Sequence, residues 1–259
     1  MKKKKEIKHL DKEWKAMNAH LANFLETGDQ EALHKFRVQI KKLRAMVSLF
    51  EDASDQPGLL KGFKPVRKIF KHAGNIRDAH MNLQLAEMYA IKNEAFALSQ
   101  QRIIEGGAVE FRQNGKKFTR AIKQAHKLLK KGLPAIGNHA IAGYYTKQLR
   151  AIATNLAVSG FTEDMHTNRK LIKILLYNHK LAKNALNGAV PFNAPYLDKL
   201  QEAIGKWHDN VVAEQLFSSA GLNDKPVVSK IKRKNAGIKR IITSLAVDFM
   251  KKAATIEEV

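Results

Sequence analysis

LHKFRVQIKKLR, residues 33–44, separates its charge from its apolar residues with a helical period. At about 100° per residue, His34, Arg37, Lys41 and Arg44 fall within an arc of roughly 80°. Phe36, Ile40, Leu43, Val47 and Phe50 gather on the opposite side, and Lys35 and Lys42 flank the basic arc. The pattern predicts a helix that docks an apolar stripe into a bundle and projects a row of cations away from it.

The same pattern recurs. His34-x-x-Arg37-x-x-x-Lys41 matches His166-x-x-Arg169-x-x-x-Lys173 at an offset of 132 residues, without a gap. A glycine precedes each histidine by six residues, Gly28 and Gly160. Further on, Gly74-Asn75-Ile76-Arg77-Asp78 is answered by Gly205-Lys206-Trp207-His208-Asp209, both reading Gly-x-x-basic-Asp, with the offset slipping to 131. Ordered matches at near-constant spacing imply an internal duplication. In the second copy His166, Arg169, Lys170, Lys173, Tyr177 and Lys180 share one face, and Leu171, Ile172, Leu175 and Ala182 form the other.

Outward from these motifs, helical periodicity dominates. Proline is confined to six positions, and Pro57, Pro134, Pro191, Pro195 and Pro226 fall between periodic segments, with Pro65 where a helix begins or kinks. Gly28, Gly132, Gly160 and Gly188 come after helical runs as C-terminal stops do. The expected helices lie near 8–27, 30–52, 59–91, 93–131, 134–159, 162–187, 195–219 and 225–254. Interruptions are expected at Gly74-Asn75 and near Gly106-Gly107 or Gly115. The fold class is therefore all-α: two pseudo-symmetric four-helix halves, 1–131 and 132–259, packed as one domain over 8–254.

The 259 residues hold 46 Lys and Arg against 24 Asp and Glu, a net charge of +22. Self-repulsion on that scale destabilises a compact chain and points to a polyanionic partner that offsets it. Cysteine is absent, which excludes disulfides, thiolate metal sites and cysteine nucleophiles. The Met1–Lys5 run resembles the basic start of a signal peptide, but Glu6, Lys8, His9, Asp11, Lys12 and Glu13 leave no apolar core after it. Nothing approaches the roughly 18 apolar residues of a membrane span. A soluble, cytoplasmic protein with no membrane partner is expected.

A third ladder stands at Lys64, Arg67, Lys68 and Lys71, ending at His72. Like charges at these spacings destabilise an isolated helix by a few tenths of a kcal/mol per pair. A single ladder is compatible with a plain solvated face, whereas three suggest a track for phosphates. The histidines lack metal-site spacing, with no H-E-x-x-H and no pair at i, i+4. His34 and His166 read either as buried residues between helices or as extra donors to phosphate. Asp78 and Asp209 read either as carboxylates that fix a ladder cation or as helix-start caps. With Arg77 and His208 they form a site-organising set. No metal, cofactor or catalytic residue is assigned.

His34-x-x-Arg37-x-x-x-Lys41-Lys42-Leu43-Arg44, Asn75-Ile76-Arg77-Asp78, and the second copies through Leu200-Gln201-x-x-x-Gly205-x-x-His208-Asp209 resemble the CHAD domain, the conserved histidine α-helical domain. The resemblance runs from about residue 8 to 254. It implies two four-helix bundles about a pseudo-twofold axis, with a basic groove and central pore. It also implies binding of inorganic polyphosphate and, in bacteria, association with polyphosphate granules. Carried over, the anion contacts are His34, Arg37, Lys41 and Arg44 with His166, Arg169, Lys170 and Lys173. The second copy departs at Ile174-Leu175-Leu176, where Lys180 is a candidate substitute.

The expected function is non-catalytic polyphosphate binding by these residues together with Lys42, Lys64, Arg67, Lys68 and Lys71. Nucleic-acid binding through backbone phosphates is the alternative, since a positive field does not choose among polyanions. Single-strand binders interleave aromatics with charge for base stacking, and these ladders carry almost none outside Tyr177. No phosphate-cradling glycine loop, nucleophile with adjacent base, or Mg²⁺-holding carboxylate cluster stands in the sequence, so no enzyme is expected.

Overall fold

The computed structural model describes residues 3–254 apart from 55, 159, 188, 220, 221 and 223. Gly188, and Met1 and Lys2 of the N-terminal basic run, therefore lie outside the described residues. Among the described residues every regular element is helical. The chain forms two compact units, Lys2–Ala135 and Ile136–Val259.

The first unit contains α1 (Lys3–Thr27), α2 (Gln30–Ser54), the short α3 (Leu59–Gly62), α4 (Lys64–Met88), α5 (Glu94–Gln113) and α6 (Gly115–Gly132). Its helices form because their apolar residues repeat on one face. Leu10, Trp14, Met17, Leu21 and Phe24 of α1 are buried, as are Leu33, Phe36, Ile40, Leu43, Val47 and Phe50 of α2. Gly28 ends α1 at φ +73°, and its N–H donates to the Phe24 carbonyl. Asp29 then starts α2, its carboxylate accepting from the backbone N–H groups of Glu31 and Ala32. The α2–α3 loop is held by Glu51, whose Oε2 accepts from the N–H of Gly58 at 3.0 Å and of Leu60 at 2.8 Å.

The second unit repeats the order with α7 (Asn138–Val158), α8 (Glu163–Leu186), α9 (Ala194–Ser219), α10 (Lys225–Ala246) and α11 (Phe249–Ala254). Thr162, Asn193 and Asp224 cap α8, α9 and α10 through their side-chain oxygens. Tyr145 is buried, donating from its hydroxyl to the Leu175 carbonyl at 2.8 Å.

The expected helix positions hold, with differences in where they break. Residues 59–91 divide at Phe63, and Pro65 sits in the first turn of α4, where its missing N–H breaks no bond. Gly74-Asn75 is no interruption, because α4 runs through it. Gly106-Gly107 likewise lies within α5, and the break comes at Asn114, just before Gly115. Residues 225–254 divide at Val247-Asp248, where Asp248 takes φ +53°.

Candidate cationic seam

In the first unit α2 and α4 run antiparallel, and one arginine sets their register. Arg37 Nη1 donates to the Phe70 carbonyl at 3.0 Å. Its guanidinium also lies over the Phe70 ring, 4.3 Å from the centroid. The approach requires Gly74, since a Cβ there would stand 2.7 Å from Arg37 Nη1. The glycine is buried in mid-helix, and it accommodates a side chain from the neighbouring helix.

The second unit builds the same contact. Arg169 Nε donates to the Gln201 carbonyl at 3.2 Å. A Cβ at Gly205 would meet Arg169 Nη2, Nε and Cζ at 2.8, 2.9 and 3.0 Å. In both units the accepting carbonyl lies four residues before the glycine. The Arg and Gly of the duplicated motifs thus form a pin between antiparallel helices. Burial is the main influence holding the Arg37 pKa below the ordinary arginine value, and Asp78 opposes it. Arginine stays charged there regardless.

Around the first pin the helical register distributes the expected site residues. Lys41 is exposed, 5.9 Å from the Phe70 centroid, and Arg44 is exposed one turn on, on the side of α2 that carries Arg37. From α4, Arg67 and Lys71 are exposed on the side that carries Gly74. Lys64 and Lys68 are exposed and turned further outward. Lys42 is half-buried, roughly 140° around α2 from Arg37, so it stands apart from this seam. His34 and Arg77 are half-buried at the other end, where Asp78 is exposed. Partial burial, and then the Arg77 cation, lower the His34 pKa, so the imidazole is neutral at neutral pH.

The second unit keeps the pin and changes the charge. His166 and His208 stack with centroids 3.9 Å apart and planes at 21°. Burial is the largest influence lowering the His208 pKa, opposed by Asp209 and Glu163. Lys173, half-buried, is the counterpart of Lys41 and lies 5.6 Å from the Tyr177 ring centroid. Burial and Arg169 lower the Lys173 pKa, while Asp198, Glu202 and Asp209 favour its charged form.

The duplication places Leu176 where the first unit has Arg44, Asp198 where it has Arg67, and Glu202 where it has Lys71. Asp198 also accepts from Gln201 Nε2 at 2.8 Å. Four cations along one seam have become one lysine, a leucine and two acids. Lys170 and Lys180 are exposed, Lys180 on the Arg169 side of α8 and Lys170 a quarter-turn away. Sequence reading overlooked the acids of α9, although aligning the copies at the 131-residue offset exposes them.

The carboxylates of Asp78 and Asp209 form no ion pair within 4 Å among the described residues. Their influence on Arg37 and Lys173 is electrostatic and at longer range. Among the described residues no three His, Asp or Glu side chains converge as ligands of a metal ion. No helix among them is long and apolar enough to cross a membrane.

Known proteins share this arrangement of helices. A family model described as the CHAD domain matches residues 8–218. The crystal structure of the CHAD domain from the plant Ricinus communis superposes with a TM-score of 0.65 at 16% identity. The match covers 92% of this chain and 89% of that one, a likeness of fold. No curated protein matches significantly.

Proposed function

The chain belongs to the CHAD domain family, and on that premise we propose that it is a non-catalytic binder of inorganic polyphosphate. The observation that carries the reading is the α2–α4 seam, where Lys41, Arg44, Arg67 and Lys71 are exposed along two helices locked in register by the Arg37 pin. A linear polyanion lying on the seam meets cations from both sides. The pin fixes the backbone beneath them, so less conformational freedom is lost on binding. His34 adds a donor at one end, where Asp78 and Arg77 act on the local charge at longer range. In the second unit Lys170, Lys173 and Lys180 supply a weaker contact beside the Arg169 pin, because Asp198 and Glu202 already offset Lys173.

The seam carries phenylalanine only beneath its cations, at Phe70, and offers no exposed ring on which a base would stack. That favours a base-free phosphate chain over single-stranded nucleic acid. The proposed setting is the cytoplasm, in association with polyphosphate granules.

Calorimetry with polyphosphate of defined length at several salt concentrations tests the reading. Replacing Lys41, Arg44, Arg67 and Lys71 with Gln removes four cations. That lowers the slope of log K against log salt by roughly three, at about 0.7 per contact as for single strands. An unchanged slope places the ligand elsewhere. RNA of equal charge that competes as well as polyphosphate favours the nucleic-acid reading. Phosphate release on prolonged incubation with Mg²⁺ overturns the non-catalytic one.

A further inference from the structure

Helix α6 is the most one-sidedly charged element of the first unit, and the seam does not include it. It carries Lys116, Lys117, Arg120, Lys123, Lys127, Lys130 and Lys131, and no acid. All but Lys117 fall within an arc of roughly 100°. All seven are exposed, and Ile122, Ala125 and Leu129 hold the opposite face in the core. Like charges at i, i+3 and i+4 repeat along the whole helix, each pair a small local destabilisation.

The two ends of this stripe differ. At the C-terminal end Asp11 of α1 accepts from Lys130 Nζ at 2.8 Å and lies 2.8 Å from His126 Nε2, so charge there is already offset. At the N-terminal end the stripe opens into a cleft of about 640 Å³ lined by Leu25, Arg112, Gly115, Lys116, Thr119, Arg120 and Lys123. Four of these seven are cations and none is an acid. Arg112 reaches it from α5 and is packed over Gly28, where a Cβ would stand 2.8 Å from its Nη2. Asp29, next to Gly28 in the chain, is engaged in capping α2.

We propose that α6 is a second polyphosphate track, entered at the Arg112–Lys116–Arg120–Lys123 cleft and continuing to Lys127. From Lys116 to Lys127 it is about 16 Å long, at 1.5 Å per residue. The proposal rests on the function assigned above and adds a separate site on a different helix. One molecule then engages two stretches of phosphate chain, which raises avidity for long chains and links separate ones. Thr119 lies beside these cations, and the two aromatic rings of α6, Phe118 and His126, pack against Phe111 and Trp14, so the stripe suits the same base-free ligand.

The test combines two variants with a footprint. One variant replaces Lys116, Arg120, Lys123 and Lys127 with Gln, and the other carries the four Gln substitutions in the seam. The seam variant retains polyphosphate binding at low salt, and adding the α6 substitutions leaves only the weaker contact of the second unit. The α6 substitutions alone lower the salt slope by roughly three. In the unmodified protein, saturating polyphosphate protects Lys116, Lys123 and Lys127 from acetylation, a readout independent of how the variants fold. A seam variant with no residual binding, together with unprotected α6 lysines and a protected Lys41, overturns the second track and leaves the first. An unmodified protein that does not bind polyphosphate overturns both. RNA displacing polyphosphate from the seam variant as well as polyphosphate itself does overturns the ligand class.

Discussion

Replacing Gly74 with alanine tests the pin between α2 and α4, and its effect on stability should reverse sign with the residue at position 37. Alanine in a helix interior is favoured over glycine by about 1 kcal/mol, so a mid-helix Gly→Ala change is ordinarily stabilising. Here the new methyl would stand 2.7 Å from Arg37 Nη1. The guanidinium must leave the Phe70 carbonyl, losing a charge-assisted hydrogen bond worth about 1.5–3 kcal/mol. The net expectation is destabilisation by about 0.5–2 kcal/mol. In an Arg37→Ala background no guanidinium is displaced, and Gly74→Ala should stabilise by up to about 1 kcal/mol. The coupling between the two positions is then about 1.5–3 kcal/mol, within the range of residues in contact. Urea unfolding followed by tryptophan fluorescence provides the assay. The two tryptophans, Trp14 and Trp207, are both buried and lie one in each unit, so Trp207→Phe leaves a probe of the first unit alone. Equal stabilisation by Gly74→Ala in both backgrounds would refute the pin. Gly205→Ala, which meets three Arg169 atoms at 3.0 Å or less, should destabilise the second unit at least as much.

The charge difference between the copies predicts that Asp198→Asn with Glu202→Gln strengthens polyphosphate binding and steepens its salt dependence, read by calorimetry. Unchanged affinity and salt slope would show that Lys173 plays no part. The His34 pKa is lowered on folding, so the unfolded chain takes up more protons near the ordinary value of about 6.5. The stability contributed by neutral His34 is therefore present above that value and lost as the pH falls through it toward the folded pKa. His208 acts in the same direction. A phosphate chain beside His34 favours its protonated form, so binding near pH 6 should take up protons, and less so in His34→Gln. Calorimetry in buffers of different ionisation heat measures the uptake. Finally, α4 ends with Ala90 at φ +55°, its N–H donating to the Glu87 carbonyl and that of Ile91 to the Ala86 carbonyl. This is the Schellman pattern with alanine where glycine is usual. Ala90→Gly should raise the stability of the first unit by about 1 kcal/mol, relieving the left-handed strain of an L-residue; an unchanged urea midpoint counts against that strain.

Features that depend on spacing along one helix could be read in the sequence. The apolar stripe of α2, the cationic row beside it and the second copy of both come from a 3.6-residue period and a constant offset. The roles of Gly74 and Gly205 could not be read that way. Gly74 looks like a helix break, yet it sits inside a helix, and both glycines are crossed by an arginine more than thirty residues earlier in the chain. For the same reason Arg37 and Arg169 look like free phosphate donors and prove to be hydrogen-bonded to backbone carbonyls. The division at Val247-Asp248 has no glycine or proline to announce it. The stripe on α6 is legible at i, i+4, i+7 and i+11, but without a second copy it does not stand out in a chain with this excess of lysine.

Asp198 and Glu202 favour the charged form of Lys173, whereas Lys41, Arg44, Arg67 and Lys71 bring four like charges to one seam. The two seams should therefore respond differently to desalting: the first loosens as its counterions are dialysed away, and the second changes less. A duplicated scaffold has in this way come to hold one seam tuned to its ionic surroundings and one seam partly shielded from them.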